Sequence, residues 1–384
     1  MKYKPYGKTG RTVSMLGFGA MRLPAQKDGT CDYARAVPML REGIDAGINY
    51  IDTARGYITG TSEIAVGKAI KSYDRETLFV VTKIPSNDIE NSRELEWRKQ
   101  LEQQLARFDM PYIDMILFHG LKWDAFNEHV GKPGYALAAA RAAQNDGLVR
   151  HVGFSSHDSA ENITRLVETR EFDGVLLQYN FLDRRNEGAI DAAARIGMGV
   201  TVMGPVAGGR LGVPGAVALD GEGMEQMRVP EIALRFVWSN PGVTVALSGM
   251  NAMDQIHENV AAAERMTEIG DAERRKVAGL VERNAELMKL YCTACGYCMP
   301  CPNGVNIPEN FRYMNWHKVW GLTKEAKEAY AKFSPDGFWA PWATGQVTGL
   351  SASECVECGE CEPKCPQNIP IIKQLKETAA ALGS

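Results

Sequence analysis

The chain has 384 residues, of which 45% are hydrophobic and 23% charged, with a formal net charge of -4. That is enough apolar material for one large domain plus a small one, and it excludes a disordered chain. No stretch gathers Lys and Arg on one face as a nucleic-acid footprint requires, and no apolar run reaches the roughly 18 residues of a membrane-spanning helix.

The N-terminus, MKYKPYGKTG, carries no apolar core and no A-x-A cleavage site. Export is therefore not expected, and a cytoplasmic setting is. Tyr3 to Tyr6 and Val13 flank Lys8-Thr9-Gly10, which predicts a short hairpin able to close a barrel floor. Short apolar runs then alternate with helical stretches such as 33–46 and 94–108. Strands are predicted at 14–19, 50–53, 78–83, 115–119, 151–155, 174–179, 199–203 and 244–249. Eight strands with intervening helices predict an α/β fold, a (β/α)8 TIM barrel. The rival architecture, an open dinucleotide-binding sheet, requires G-x-G-x-x-G after the first strand. Gly17-Phe18-Gly19 begins that pattern, but Arg22 stands at its third glycine, where a large side chain blocks helix-strand packing. Residues 271–290 read as a long polar helix leaving the barrel, with a boundary near residue 285. The predicted domains are 1–285, the barrel, and 286–384, a small and mainly helical module.

Barrel enzymes keep their chemistry at the C-terminal ends of the strands. There the chain places Ile51-Asp52-Thr53-Ala54-Arg55-Gly56-Tyr57, Val81-Thr82-Lys83 and Leu117-Phe118-His119. Taken singly, Asp52 could cap a helix, Tyr57 pack a loop, Lys83 snorkel to solvent and His119 sit satisfied in the wall. Together they match one reaction. Hydride delivery to a carbonyl creates an alkoxide, which needs a proton donor; a phenol with a pKa of about 10 serves if it is pulled toward neutrality. Tyr57 suits that role, with the Lys83 ammonium stabilising the phenolate and the Asp52 carboxylate holding Lys83. His119 would hydrogen-bond the carbonyl oxygen or help relay the proton.

The D-T-A-x-x-Y segment with a strand-ending Lys and a strand-ending His resembles the aldo-keto reductases over about residues 1–285. The resemblance implies reversible reduction of an aldehyde or ketone by NADPH or NADH, with Asp52, Tyr57, Lys83 and His119 as the catalytic set. It also implies nucleotide contacts from Gly19, Ala20 and Met21 after the first strand. Ser155, Ser156 and Gln178 would hold the nicotinamide carboxamide, although Ser156 replaces the more usual Asn. Gly204, Pro205, Ala207, Gly209 and Arg210 would form the pyrophosphate loop, whose glycines let backbone N–H groups approach phosphate. A plain turn also accounts for those glycines. Met203 stands where relatives stack an aromatic ring. Glu258 and Asn259 would read adenine. Gln255, with Met250 and Asn251, replaces the Lys or Arg that clamps a 2'-phosphate, so NADH or dual use is expected, with Arg210, Arg22 and His257 as partial substitutes.

The tail carries eight of the nine cysteines, as Cys292, Cys295, Cys298, Cys301 and Cys355, Cys358, Cys361, Cys365. The spacings C-x2-C-x2-C-x2-C-P and C-x2-C-x2-C-x3-C-P suit thiolates wrapping cubic iron-sulfur clusters. Two four-cysteine zinc sites remain the rival, although zinc usually takes separated pairs. Cys31 reads as an ordinary small residue. The tail resembles the two-cluster bacterial ferredoxins over roughly 288–375. That resemblance implies two [4Fe-4S] clusters with crossed ligation: Cys292, Cys295, Cys298 and Cys365 on one, and Cys355, Cys358, Cys361 and Cys301 on the other. The expected partners are a small carbonyl or alcohol substrate and a ferredoxin or other redox partner, without nucleic acid or membrane. A nicotinamide delivers two electrons and each cluster accepts one, so the clusters' task stays open between structural, regulatory and relay roles, and no flavin motif is visible. A second class of function is an electron-transfer or redox-sensing protein whose barrel binds nucleotide or a partner. Trp316, Trp320, Trp339 and Trp342 read as packing more readily than as a roof over the barrel mouth.

Overall fold

The computed structural model describes residues 1–26, 28–209, 229–266, 275, 292, 294–333 and 349–383. Apart from Arg275, the predicted helix over 271–290 and the boundary near 285 lie outside the described residues, as do Arg210, Trp339 and Trp342.

Strands β1 (Tyr3–Pro5) and β2 (Thr12–Ser14) form the predicted hairpin, with Lys4 opposite Val13. Eight further strands follow: β3 (Leu16–Gly19), β4 (Tyr50–Asp52), β5 (Phe79–Pro85), β6 (Ile113–His119), β7 (Val149–Ser155), β8 (Gly174–Gln178), β9 (Gly199–Met203) and β10 (Val245–Ser248). They close into an all-parallel barrel in the order β10-β3-β4-β5-β6-β7-β8-β9. The fold is the expected (β/α)8 barrel. β6 starts two residues before its apolar run because Asp114, inside the strand, is buried and accepts from the Val80 amide at 2.9 Å. A paired carboxylate of that kind is tolerated in a strand but hides it from a hydropathy reading.

The hairpin closes the floor through Tyr6, which packs on Tyr50 and Phe79 with ring centroids 5.7 and 5.2 Å away. The fit demands Gly199, where a Cβ would come within 2.2 Å of the Tyr6 ring. Tyr6, Tyr50, Phe79, Val81, Met115, Leu117, Leu176 and Val245 fill the barrel interior, and a larger apolar layer separates the barrel from its helices. Interior position alternates along a strand. The inward phase of Tyr50, of Phe79 and Val81, and of Met115 and Leu117 therefore delivers Asp52, Lys83 and His119 to the inner face at the mouth.

The tail has its own core, built from residues such as Val305, Ile307, Phe311, Met314, Ile371 and Leu375. Helices Ile307–Trp320, Thr323–Tyr330 and Ile371–Leu382 supply most of it, and six of the cluster-motif cysteines pack against it. Trp316 stacks edge-on against Tyr313 at 5.2 Å, a packing role. No described helix is long and apolar enough to cross a membrane.

Candidate active site

At the mouth, Lys83 Nζ lies 2.5 Å from Asp52 Oδ1 and 2.6 Å from the carbonyl oxygen of Thr53, with both charged side chains buried. Burial pulls the Lys83 ammonium down and pushes the Asp52 carboxyl up, and each partner draws the other back toward its charged form. The Lys83 ammonium stands 4.7 Å from the centroid of the Tyr57 ring, against the ring face. Burial, then the Asp52 charge and Cys295, hold the Tyr57 phenol well above its usual range. The protein as it stands thus keeps Tyr57 neutral and protonated, rather than lowered toward neutrality as the lysine argument alone implies.

His119 meets the Tyr57 ring edge-on at 5.9 Å. Its imidazole is pulled down to about 3 by burial, then by Lys83 and by His157, so it is neutral at ordinary pH. The loop carrying Tyr57 is held in an unusual backbone: Ile58 and Thr59 both sit at φ 51, in the left-handed region that branched side chains rarely adopt. Hydrogen bonds from Thr59 Oγ1 to Gly29 O at 3.0 Å and from the Cys31 amide to Thr61 Oγ1 at 2.8 Å clamp it. Cys31 itself is buried, its thiol pushed up to about 12 by that burial, as an ordinary core residue would be.

A second buried carboxylate, which sequence reading passed over, fixes the strand under Lys83. Glu63 accepts from Thr82 Oγ1 at 2.7 Å, Gln104 Nε2 at 2.7 Å and Arg107 Nε at 2.6 Å, and Gln104 also donates to Lys83 O at 3.0 Å. Nothing in the local sequence marks Glu63, because its three partners come from β5 and from the helix Glu94–Phe108, distant in the chain.

The positions expected to hold nucleotide ring the same mouth. Ser155 Oγ accepts from the Gly120 amide at 2.9 Å, and Ser156 Oγ donates to Leu121 O at 2.7 Å. Both hydroxyls therefore brace the loop after β6. Gln178 ends β8 beside Gly204, whose φ of 64 suits glycine and where a Cβ would lie 2.3 Å from Gln178 Nε2. Met203 ends β9, half-buried, and the turn through Pro205, Ala207 and Gly209 follows it, with the Ala207 amide donating to Gly204 O at 2.9 Å. Gly19 ends β3 close to the Ser248 carbonyl, and the Ala20 carbonyl accepts from Ser62 Oγ at 2.7 Å, with Met21 half-buried beside it. Gln255 accepts from the Asn251 amide at 2.9 Å, Asn259 Nδ2 donates to Ser248 Oγ at 3.1 Å, and Glu258 is exposed. Two of the three substitute cations are engaged elsewhere. His257 pairs with Glu42 at 2.7 Å, and Arg22 donates to Gly208 O at 3.2 Å and to Ala294 O, in the first cysteine run, at 3.5 Å.

The eight cysteines form no disulfide and fall into two groups. Cys292, Cys295, Cys298 and Cys365 line one cavity, walled by Phe311 and Ile369. Cys301, Cys355, Cys358 and Cys361 line the other, with Cys298 at its edge. Burial raises the Cys298 thiol, and the nearby Cys292, Cys295 and Cys365 raise it further. Thiols crowded this way cannot ionise together without a cation between them, so the donor set fits a cationic cluster. The first cavity faces the barrel. Tyr297, between Cys295 and Cys298, brings its hydroxyl to 3.1 Å from His119 Nε2.

A family model described as the aldo/keto reductase family matches residues 15–213. The chain belongs to the aldo/keto reductase family. It is an oxidoreductase of that type. A 4Fe-4S dicluster domain model matches residues 291–370, so this aldo-keto reductase carries a C-terminal iron-sulfur domain. Among curated relatives, an NADH-specific methylglyoxal reductase from Escherichia coli is 28% identical over 331 residues, 74% of this chain and 100% of that protein. An L-galactose dehydrogenase from Arabidopsis thaliana is 25% identical over 299 residues, covering 70% and 90%. Among solved structures, the holo form of aldo-keto reductase AKR11C1 from Bacillus halodurans is similar with a TM-score of 0.61 and 25% identity, covering 73% of this chain and 96% of that one.

Proposed function

We propose that this aldo-keto reductase reduces a small carbonyl compound with a nicotinamide at the Asp52, Tyr57, Lys83 and His119 site. The observation that carries the reading is the buried Lys83–Asp52 pair packed against the Tyr57 ring beside a neutral His119. The nicotinamide, when bound, supplies hydride to the carbonyl carbon. Tyr57 gives its proton to the carbonyl oxygen. The Lys83 charge 4.7 Å from its ring stabilises the phenolate that remains, at a place where burial otherwise opposes charge. Asp52 keeps Lys83 charged and pointed, and neutral His119 orients the oxygen by hydrogen bonding.

The nicotinamide site is formed by Gly19, Ala20, Met21, Ser155, Ser156, Gln178 and the turn after Met203, with Gln255, Glu258 and Asn259 at the adenosine end. Met250, Asn251 and Gln255 carry no charge for a 2'-phosphate, which supports NADH or dual use. Two [4Fe-4S] clusters are held by Cys292, Cys295, Cys298 and Cys365 and by Cys301, Cys355, Cys358 and Cys361, a crossed arrangement supported by which thiols share each cavity. Bound clusters exchange single electrons. A relay to an external redox partner is a second reading, favoured by the first cavity's position at the mouth, where Cys295 bears on Tyr57. The domains divide near residue 285, and eight cysteines outside any disulfide fit a reducing cytoplasm.

Anaerobically purified protein tests this. Oxidation of NADH or NADPH by a short aldehyde, lost in Tyr57→Phe, is the expected result; full turnover in that variant removes the assignment.

A further inference from the structure

The turn that gathers the first cysteine run does a second thing. Cys295 and Cys298 both line the first cavity, and Gly296, at φ 79, bends the chain between them. Side chains between two ligands of such a turn project away from the ligand side. Tyr297 projects onto the barrel mouth. Its hydroxyl lies 3.1 Å from His119 Nε2, and its ring stands edge-on to His119 at 6.5 Å and to His157 at 6.3 Å. Tyr57 also meets the His119 ring edge-on, at 5.9 Å. Both phenol rings therefore flank one imidazole. Tyr297 is 39% exposed, so it borders an opening rather than filling a sealed core.

We propose that Tyr297 is a specificity-determining residue, contributed by the iron-sulfur domain, that limits the carbonyl substrate to a short, ring-free compound. This rests on the reductase reading above. A carbonyl oxygen held by His119 comes to the imidazole that the Tyr297 hydroxyl reaches, so its substituents meet the Tyr297 ring. With the Tyr297 ring this close to the imidazole that receives the oxygen, a carbonyl with small groups is admitted and an aryl ring is excluded. His157 adds a second neutral ring beside Tyr297, its imidazole pulled down to about 4 by burial, and its Nδ1 has no hydrogen-bond partner among the described residues. Because Tyr297 is positioned by the turn that carries Cys295 and Cys298, a ring bordering the site belongs to a different domain from its chemistry.

The test compares full-length wild type, Tyr297→Ala and Tyr297→Phe, each shown by iron analysis to retain wild-type iron. The kcat/KM ratio for propionaldehyde over phenylacetaldehyde is measured, together with the calorimetric Kd ratio for propionate over phenylacetate in the presence of oxidised nicotinamide. Wild type and Tyr297→Phe should favour the small member equally, while Tyr297→Ala shifts both ratios toward the ring-bearing member by about tenfold or more, the scale of a pocket-size change. Unchanged ratios in Tyr297→Ala overturn the proposal. A wild type that reduces neither aldehyde defeats the reductase reading instead, and the carboxylate ratio alone then decides Tyr297.

Discussion

Lys83 Nζ stands over the ring of Tyr57, 4.7 Å from its centroid, while its hydrogen bonds run to Asp52 and to the Thr53 carbonyl. The ammonium therefore acts on Tyr57 through space rather than through a shared proton. Tyr57→Phe keeps the ring against Lys83 and removes only the transferable proton, so carbonyl reduction should fall by at least about 100-fold while nucleotide binding is retained. Lys83→Met should lower kcat similarly, and it also strands Asp52. Steady-state kinetics with fluorescence titration of the nucleotide separates the two effects.

Nucleotide choice follows from charge. With Met250, Asn251 and Gln255 neutral, His257 paired to Glu42 and Arg22 bound to Gly208, NADPH should not be preferred over NADH by more than about tenfold, some 1.4 kcal/mol. Parallel fluorescence titrations measure it; a preference of a hundredfold or more contradicts it.

The proposed crossed ligation makes a sharp prediction about Cys301. It lies in the first run but lines the cavity of Cys355, Cys358 and Cys361. Cys301→Ala should therefore damage that cluster and spare the one at the barrel mouth, lowering iron and sulfide content by up to half. Aldehyde reduction should persist, and activity coupled to a one-electron dye should disappear if the clusters form a relay. EPR of the reduced variant identifies which centre remains.

Acid should destabilise the barrel through its neutral imidazoles. His119 is pulled down to about 3 and His157 to about 4, from 6.5 in the unfolded chain. Between those limits the unfolded state binds protons that the folded state refuses, so stability is full above about pH 6.5 and falls as pH drops toward the folded values. Denaturant melts from pH 7.5 to 5 should show this decline, and His157→Gln should flatten it. The same shift keeps His119 from adding a limb to the pH–rate profile above pH 5.

Removing the Glu63 carboxylate leaves Thr82, Gln104 and Arg107 without their shared acceptor. Glu63→Ala should cost about 3 kcal/mol of stability and lower kcat, because Lys83 sits on the strand that this network fixes. Chemical denaturation with matched kinetics checks both.

The linear chain determined the barrel and the strand ends that carry Asp52, Lys83 and His119. Apolar runs buried on both faces announce parallel strands, and eight of them with intervening helices leave few closures. The two-residue period then forces Asp52, Lys83 and His119 inward once Val81, Met115 and Leu117 are core. The cysteine spacing likewise encodes its own turn, because ligands three residues apart return to one point. What the sequence could not fix is the meeting of distant segments. Tyr297 and His119 are 178 positions apart, and nothing near Tyr297 marks it as part of a substrate pocket. Arg22 reads as a spoiled nucleotide motif until the fold lays it between Gly208 and Ala294. Glu63 carries no mark in the sequence until Arg107 and Gln104 pair with it. Local patterns record the periodicity of single elements, whereas these contacts depend on how the iron-sulfur domain docks on the mouth and how helices pack around the barrel. Only the assembled tertiary structure decides that.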